Sequence, residues 1–188
     1  PLIEVADMVD VREVHQWLRK SDEAKQFQWV CFDSISEIAE RCLSDAKERA
    51  GKDPRKAYGE LQDIMYDFIR QFRDLPRFSV LMTAKAERVK DDATGVTSYQ
   101  PAMPGGRLSQ ALPYFFDEML ALRVERDANG ALIRAIQTNL DGKWEAKDRS
   151  GALNLWEPPN IAHIAAKIKA GIKAPMPEST AVPTAAEL

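Results

Sequence analysis

The chain has 188 residues, room for one domain with a real core, and its balance of 45% hydrophobic to 29% charged residues is that of an ordinary globular protein. Lys and Arg number 26 against 29 Asp and Glu, so a net charge of −3 exerts no global pull toward nucleic acid or anionic membrane; such contacts need a local basic patch. No apolar run approaches the ~18 residues that cross a bilayer, and no basic segment followed by an apolar one marks a secretory signal.

Leu2-Ile3-Glu4-Val5 reads as a short edge strand. From Val9 to Lys20, Val11, Val14 and Leu18 recur at helical spacing. Trp29-Val30-Cys31-Phe32 is a short uninterrupted apolar run, which predicts a strand buried on both faces of a parallel sheet. It ends in Asp33-Ser34. An aspartate at the carboxyl end of such a strand sits where open α/β sheets bind ligands, and its shape is that of a Walker B strand, whose carboxylate holds Mg²⁺ through water. A helix cap at Asp33 or Ser34 explains the same letters.

Ile35, Ile38, Ala39, Cys42, Leu43 and Ala46 form one helical stripe to about Ala50, with Gly51 as terminator. Asp53-Pro54 opens a second helix, with Leu61, Ile64, Met65, Phe68, Ile69 and Phe72 on its apolar face, that stops before Pro76. Phe78 to Ala84 is the next strand, so strand, helices and strand make a crossover that requires a parallel pair. Cys31 and Cys42 fall inside elements and read as reduced core thiols of a cytosolic protein.

Residues 85–106 show no usable periodicity and read as a long functional or disordered loop. Leu108 to Tyr114 is a short helical piece, and Glu118 to Arg126 a strand. Asp127-Ala128-Asn129-Gly130 is a hairpin turn, because Asn-Gly tolerates positive φ. Leu132 to Thr138 is the returning strand, Leu140 to Asn154 a loop, and Asn160 to Ala170 a last helix. Residues 171–188, rich in Pro, Ala and Thr, read as a disordered tail after a core of residues 1–170.

The order of these pieces resembles the carboxyl-terminal two-thirds of a RecA/KaiC-like P-loop ATPase core, and in particular the small phage ATP-binding proteins that accompany recombination. The likeness runs over about residues 28–155. It is carried by the Asp33-Ser34 strand, the Met82-Thr83-Ala84-Lys85 strand, the loop closing with Gly105-Gly106, the helix Arg107–Leu112, the hairpin, and Lys147-Asp148-Arg149.

That resemblance implies a three-layer α/β fold, with a mostly parallel sheet, helices on both faces and an antiparallel hairpin near the carboxyl-terminal end. It implies ATP and Mg²⁺ as cofactors, with Asp33 holding the metal through water and Ser34 beside it. Thr83 becomes a sensor of the γ-phosphate. Lys147 and Arg149 become a pair reaching the nucleotide of a neighbouring subunit, as an arginine finger does. The implied partners are further copies of the chain in a ring or filament, single-stranded DNA and phage recombination proteins, in the cytoplasm of an infected bacterial cell.

Each role has a plainer competitor. Ser34 and Thr83 serve equally as caps or backbone partners, and Lys147 with Arg149 as solvated charges. Glu37, one turn into its helix, is a candidate general base but also a favourable first-turn acid, and Glu4 rivals it. In the loop, Lys85, Arg88, Lys90, Tyr99 and Arg107 are the candidate DNA contacts, carried by the family likeness because single-strand binders ordinarily combine a more basic groove with several stacking rings.

The chain starts at Pro1, and its first glycine is Gly51, so no G-x-x-x-x-G-K-[ST] loop precedes Asp33. The expectation is that these residues belong to a longer protein whose amino end holds the phosphate loop. The alternative is a RecA-like module that does not hydrolyse ATP and acts in assembly or binding.

Overall fold

The computed structural model describes residues 1–51, 53–127 and 129–171. The chain divides into two compact units, residues 1–87 with 101–115, and residues 88–100 with those from 116 onward.

The first unit opens with irregular chain to Ala6, and α1 spans Met8–Lys20. The strand expected at Leu2–Val5 is not formed, since those residues find no ladder partner. Asp7 caps α1 by accepting from Val9 N and Asp10 N, while Asp10 Oδ2 accepts in return from Ala6 N at 2.7 Å. After a 3₁₀ turn over Glu23–Gln26 come β1 Trp29–Phe32, α2 Ile35–Ala50, α3 Pro54–Arg73 and β2 Ser79–Met82. Gly51 ends α2 at φ +63°, and Asp53 accepts from Arg55 N with Pro54 in the first turn of α3.

β1 and β2 pair in parallel, with Trp29 opposite Ser79 and Phe32 opposite Met82. The crossover inferred from the sequence is therefore present. The double-sided burial is not: Trp29 and Cys31 are exposed while Val30 and Phe32 are half-buried, because helices cover one face of this two-stranded sheet. Cys31 is accordingly an exposed thiol. Cys42, on the inner face of α2, is buried as expected, and burial pushes its pKa up to about 11.

The covered face packs on α3. Phe32 meets Phe68 and Phe72 edge-on, with ring centroids 5.0 and 4.7 Å apart. Leu61, Met65, Phe68, Ile69 and Phe72 are all but fully buried, and removing each side chain from water contributes on the order of 1.5–3 kcal/mol. A short helix α4, Gly106–Ala111, completes the unit. Gly105, just before it, has φ +85°, and an added Cβ would lie 3.2 Å from the Tyr58 ring, so both conformation and space favour glycine there.

The stretch 85–106 is more ordered than its sequence suggests. β3 Ala86–Lys90 pairs with β4 Thr97–Pro101 around a turn held by Asp91, whose carboxylate accepts from Ala93 N and Thr94 N, each at 2.8 Å. These hydrogen bonds hold the Asp91 carboxyl below the usual carboxylate range.

In the second unit the strand expected over Glu118–Arg126 is broken into β5 Glu118–Met119 and β6 Ala121–Arg126. β6 pairs antiparallel with β7 Leu132–Gln137, and β7 with β9 Trp156–Glu157. β5 pairs antiparallel with β8 Lys147–Asp148, inside the segment expected to be loop. The hairpin turn is tied by Asp127, which accepts from Asn129 N and Ala131 N at 2.9 Å. α5, Ile161–Ala170, seats Ile164 against Ile136 and Leu153. Beneath β6, Arg123 lies between Trp144 and Trp156, 5.1 and 5.0 Å from the ring centroids, with Asp141 at 2.9 Å.

The α/β class therefore holds, with a parallel crossover and an antiparallel hairpin. The sheets of the described residues have two, two, two and three strands, and no three-layer parallel sheet is formed by them. The tail expected over 171–188 lies, beyond Gly171, outside the described residues.

Candidate nucleotide-metal site

The β1–β2 register carries one residue past both strands. Thr83 N donates to Phe32 O and Ile35 N to Thr83 O, each at 2.9 Å, which brings Thr83 level with Asp33 at the carboxyl edge. Thr83 Oγ1 donates to Asp33 Oδ1 at 2.6 Å, with the Phe32 carbonyl more distant at 3.3 Å. A threonine hydroxyl has one proton, and here it goes to the carboxylate. Asp33 is exposed and held in place by this bond, an arrangement suited to binding a hydrated cation.

Ser34 caps α2, accepting from Glu37 N at 3.3 Å, so the capping role read from the sequence is real. Ser36, which the sequence gives no reason to single out, is fully buried and ties the loop after β2. Its hydroxyl donates to Ala102 O at 2.7 Å and accepts from Lys85 N at 3.0 Å.

Lys85 turns back onto α2, its ammonium 3.0 Å from Glu40 Oε1 and 3.4 Å from Glu37 Oε2. The hydrogen bond to Glu40, then that to Glu37, raises the lysine's pKa. Arg41 also approaches Glu37, at 3.7 Å. The Glu37 carboxylate is thus committed to two cations. Glu4 lies on irregular, exposed chain rather than at a strand end.

Among the other loop candidates, Arg88 and Lys90 are exposed on β3, and Arg107 is exposed on α4. Tyr99 stacks on Trp144, with centroids 4.3 Å apart and rings 10° from parallel, so one face of its ring is covered.

Lys147 and Arg149 belong to the second unit, where both reach the same short segment. Lys147 Nζ donates to Phe116 O, and Arg149 Nη1 donates to Asp117 Oδ1 at 2.7 Å. The Arg149–Asp117 pair is three-quarters exposed on both sides, a weak contact that leaves the guanidinium in water.

Between them lies a carboxyl pair that sequence reasoning missed, since it exists only through the β5–β8 register. Glu118 stands opposite Asp148. Burial, then a hydrogen bond to Asp148 and that residue's charge, raise the Glu118 pKa to about 7. Burial works against Asp148 ionising, but bonds from Ser150 Oγ, Leu153 N and Gly151 N outweigh it and hold its pKa low. Below about pH 7 the proton of the pair is held by Glu118 and the charge by Asp148.

The described residues contain no cluster of three or more metal-ligating side chains, so a direct protein cage for a metal is not built from them. A single strand-end carboxylate acting through water is the arrangement that fits Mg²⁺, which keeps several waters and takes one or two carboxylates. Asp33 fits that half of a Mg²⁺–nucleotide site. No backbone cradle for phosphates follows any strand before it, because residues 1–50 contain no glycine.

The chain belongs to the AAA domain family, whose model matches residues 2–150. That family is one of P-loop NTPases, which bind nucleotide and ordinarily Mg²⁺. No curated protein and no solved structure matches the chain. No helix among the described residues is long and apolar enough to cross a membrane.

Proposed function

We propose that the chain forms the metal-holding part of a RecA-like Mg²⁺-ATPase that works on DNA in phage recombination or replication, with nucleotide at an interface between subunits. The observation that carries this reading is the 2.6 Å bond from Thr83 to Asp33 at the carboxyl edge of a parallel pair. Asp33 holds the metal through water. The metal, when bound, neutralises phosphate charge. Thr83 keeps the carboxylate oriented, and its one proton can pass to a phosphate oxygen or an attacking water only by leaving Asp33. Lys147 and Arg149 act in trans on phosphate charge, which requires Arg149 to exchange Asp117 for the neighbour's nucleotide.

The alternative is a non-hydrolysing assembly or binding module of the same fold. Binding of a fluorescent ATP analogue with and without Mg²⁺ separates the two. The ATPase reading expects Mg²⁺-dependent binding that Asp33→Ala removes, and turnover that Arg149→Ala lowers at least tenfold. Mixing these two variants should recover part of the turnover at mixed interfaces. Binding that ignores both Mg²⁺ and Asp33→Ala would overturn the assignment.

A further inference from the structure

A concentration of positive charge without ion-pair partners among the described residues lies in the first unit, along α1. Arg12 and Arg19 are seven residues apart, two turns, so they share one helix face about 10 Å from end to end. With His15, Gln16 and Lys20 they line a groove of about 430 Å³ whose opposite wall is Gln71 near the end of α3. The groove continues past His15 and Arg19 toward Arg70 and Asp74.

Its walls are fixed from within. His15 Nε2 lies 3.2 Å from Gln71 O, and the His15 ring meets Phe72 edge-on at 5.1 Å. Three of its cations are without an ion-pair partner: among the described residues Arg12, Arg19 and Lys20 make no ion pair, whereas Arg70 lies over the Tyr66 and Phe115 rings. The only carboxylate on the lining, Asp74, is held by Arg73 in a two-point pair at 2.7 and 3.0 Å, which keeps its pKa low. Glu13, adjacent to Arg12, points about 100° away around the helix. In a chain of net charge −3, this is a local excess of bare cations facing a concave surface.

We propose that the groove between α1 and the carboxyl end of α3 binds the phosphate backbone of a nucleic-acid strand. A free phosphate needs one guanidinium fork, whereas this row extends over about 10 Å, the reach of several successive phosphates. No aromatic ring other than that of His15, already engaged by Phe72, lines the groove. The contact is therefore made to backbone rather than bases, and carries little sequence preference. The inference goes beyond the nucleotide reading and stands without it.

The test is fluorescence anisotropy of a labelled oligo-dT on the full chain, without ATP or Mg²⁺, so failure of the ATPase reading leaves the result intact. The charge-reversed Arg12→Glu/Arg19→Glu variant is compared with Lys47→Glu/Lys56→Glu, the same change in net charge at exposed sites elsewhere, both checked for folding by circular dichroism. At roughly 50 mM salt the groove variant should bind at least tenfold more weakly, and its dependence of log K on log salt should flatten by about 1.4, two phosphate contacts at about 0.7 each. The control should lose less than threefold, and a mixed-sequence strand should bind as oligo-dT does. Equal weakening of both variants, or no binding by the unaltered chain at that salt, would overturn the proposal. So would displacement of the oligonucleotide by inorganic phosphate at matched ionic strength, or capture by phosphatidylglycerol vesicles but not by nucleic acid.

Discussion

Thr83 and Asp33, fifty residues apart, are joined by a 2.6 Å hydrogen bond that exists because β1 and β2 run parallel in one register. The bond is local to the sheet edge and continues the β1–β2 ladder. It therefore offers a direct way to separate stability from function. Thr83→Val keeps the shape and removes the hydroxyl. With Asp33 still in water, the cost in urea unfolding should be about 1 kcal/mol or less. Under the ATPase reading, the same variant should lose more than tenfold of Mg²⁺-ATP turnover while Thr83→Ser keeps most of it. Equal turnover in Thr83→Val and the unaltered chain would remove Thr83 from the site.

Ser34 is the amino-terminal cap of α2. Ser34→Ala should lower stability by about 1 kcal/mol, read as a shift in the thermal midpoint by circular dichroism, and Ser34→Asp should restore it. An Ala variant as stable as the parent would mean that solvent satisfies the first-turn N–H groups as well as the serine does.

The aromatic contact of Phe32 with Phe68 and Phe72 couples the sheet to α3. Phe68 is 2% exposed, and Phe68→Ala should cost about 3–5 kcal/mol in denaturant unfolding. Phe68→Leu, which refills most of the volume, should cost markedly less. Similar costs for the two would show that ring geometry rather than cavity volume dominates.

Glu118 predicts a pH dependence with a definite sign. Its pKa rises from 4.5 to about 7 on folding, so between those values the folded chain holds a proton that the unfolded chain has released. The stabilisation is fully present below about pH 4.5 and is lost as pH rises through about 7. Asp148, whose pKa is lowered, works in the opposite sense: its contribution is present above its ordinary range and lost as the solution becomes more acid. Urea midpoints of the unaltered chain should fall from about pH 5 to about pH 8, and Glu118→Gln, uncharged throughout, should flatten that slope. An unchanged slope in Glu118→Gln would place the titration elsewhere.

Much of this protein was legible along the chain. The stripes of α2 and α3, the Gly51 stop, the Asp53-Pro54 start and the parallel crossover follow from spacing and turn chemistry, which act over a few residues. Asp33 and Thr83 were recognisable as strand-end polar residues for the same reason. The stretch 85–106 was not legible, because β3 and β4 are short, polar and mostly exposed, and the turn at Asp91 is specified by carboxylate bonds rather than by an apolar pattern. Cys31 was misplaced because an apolar run looks the same whether one face or both are covered.

What only the tertiary structure decided are the partners. That Thr83 spends its proton on Asp33, that Lys85 pairs with Glu40 and Glu37, and that Glu118 faces Asp148 depend on register and helix placement between residues 30 to 50 apart. The bare cations of α1 make the same point from the other side. Their spacing is visible in the sequence, but that they face a groove without partners is fixed only when α1 packs against α3. Local sequence chooses the elements because propensity, capping and periodicity are short-ranged; the charges acquire meaning only when folding sets their distances.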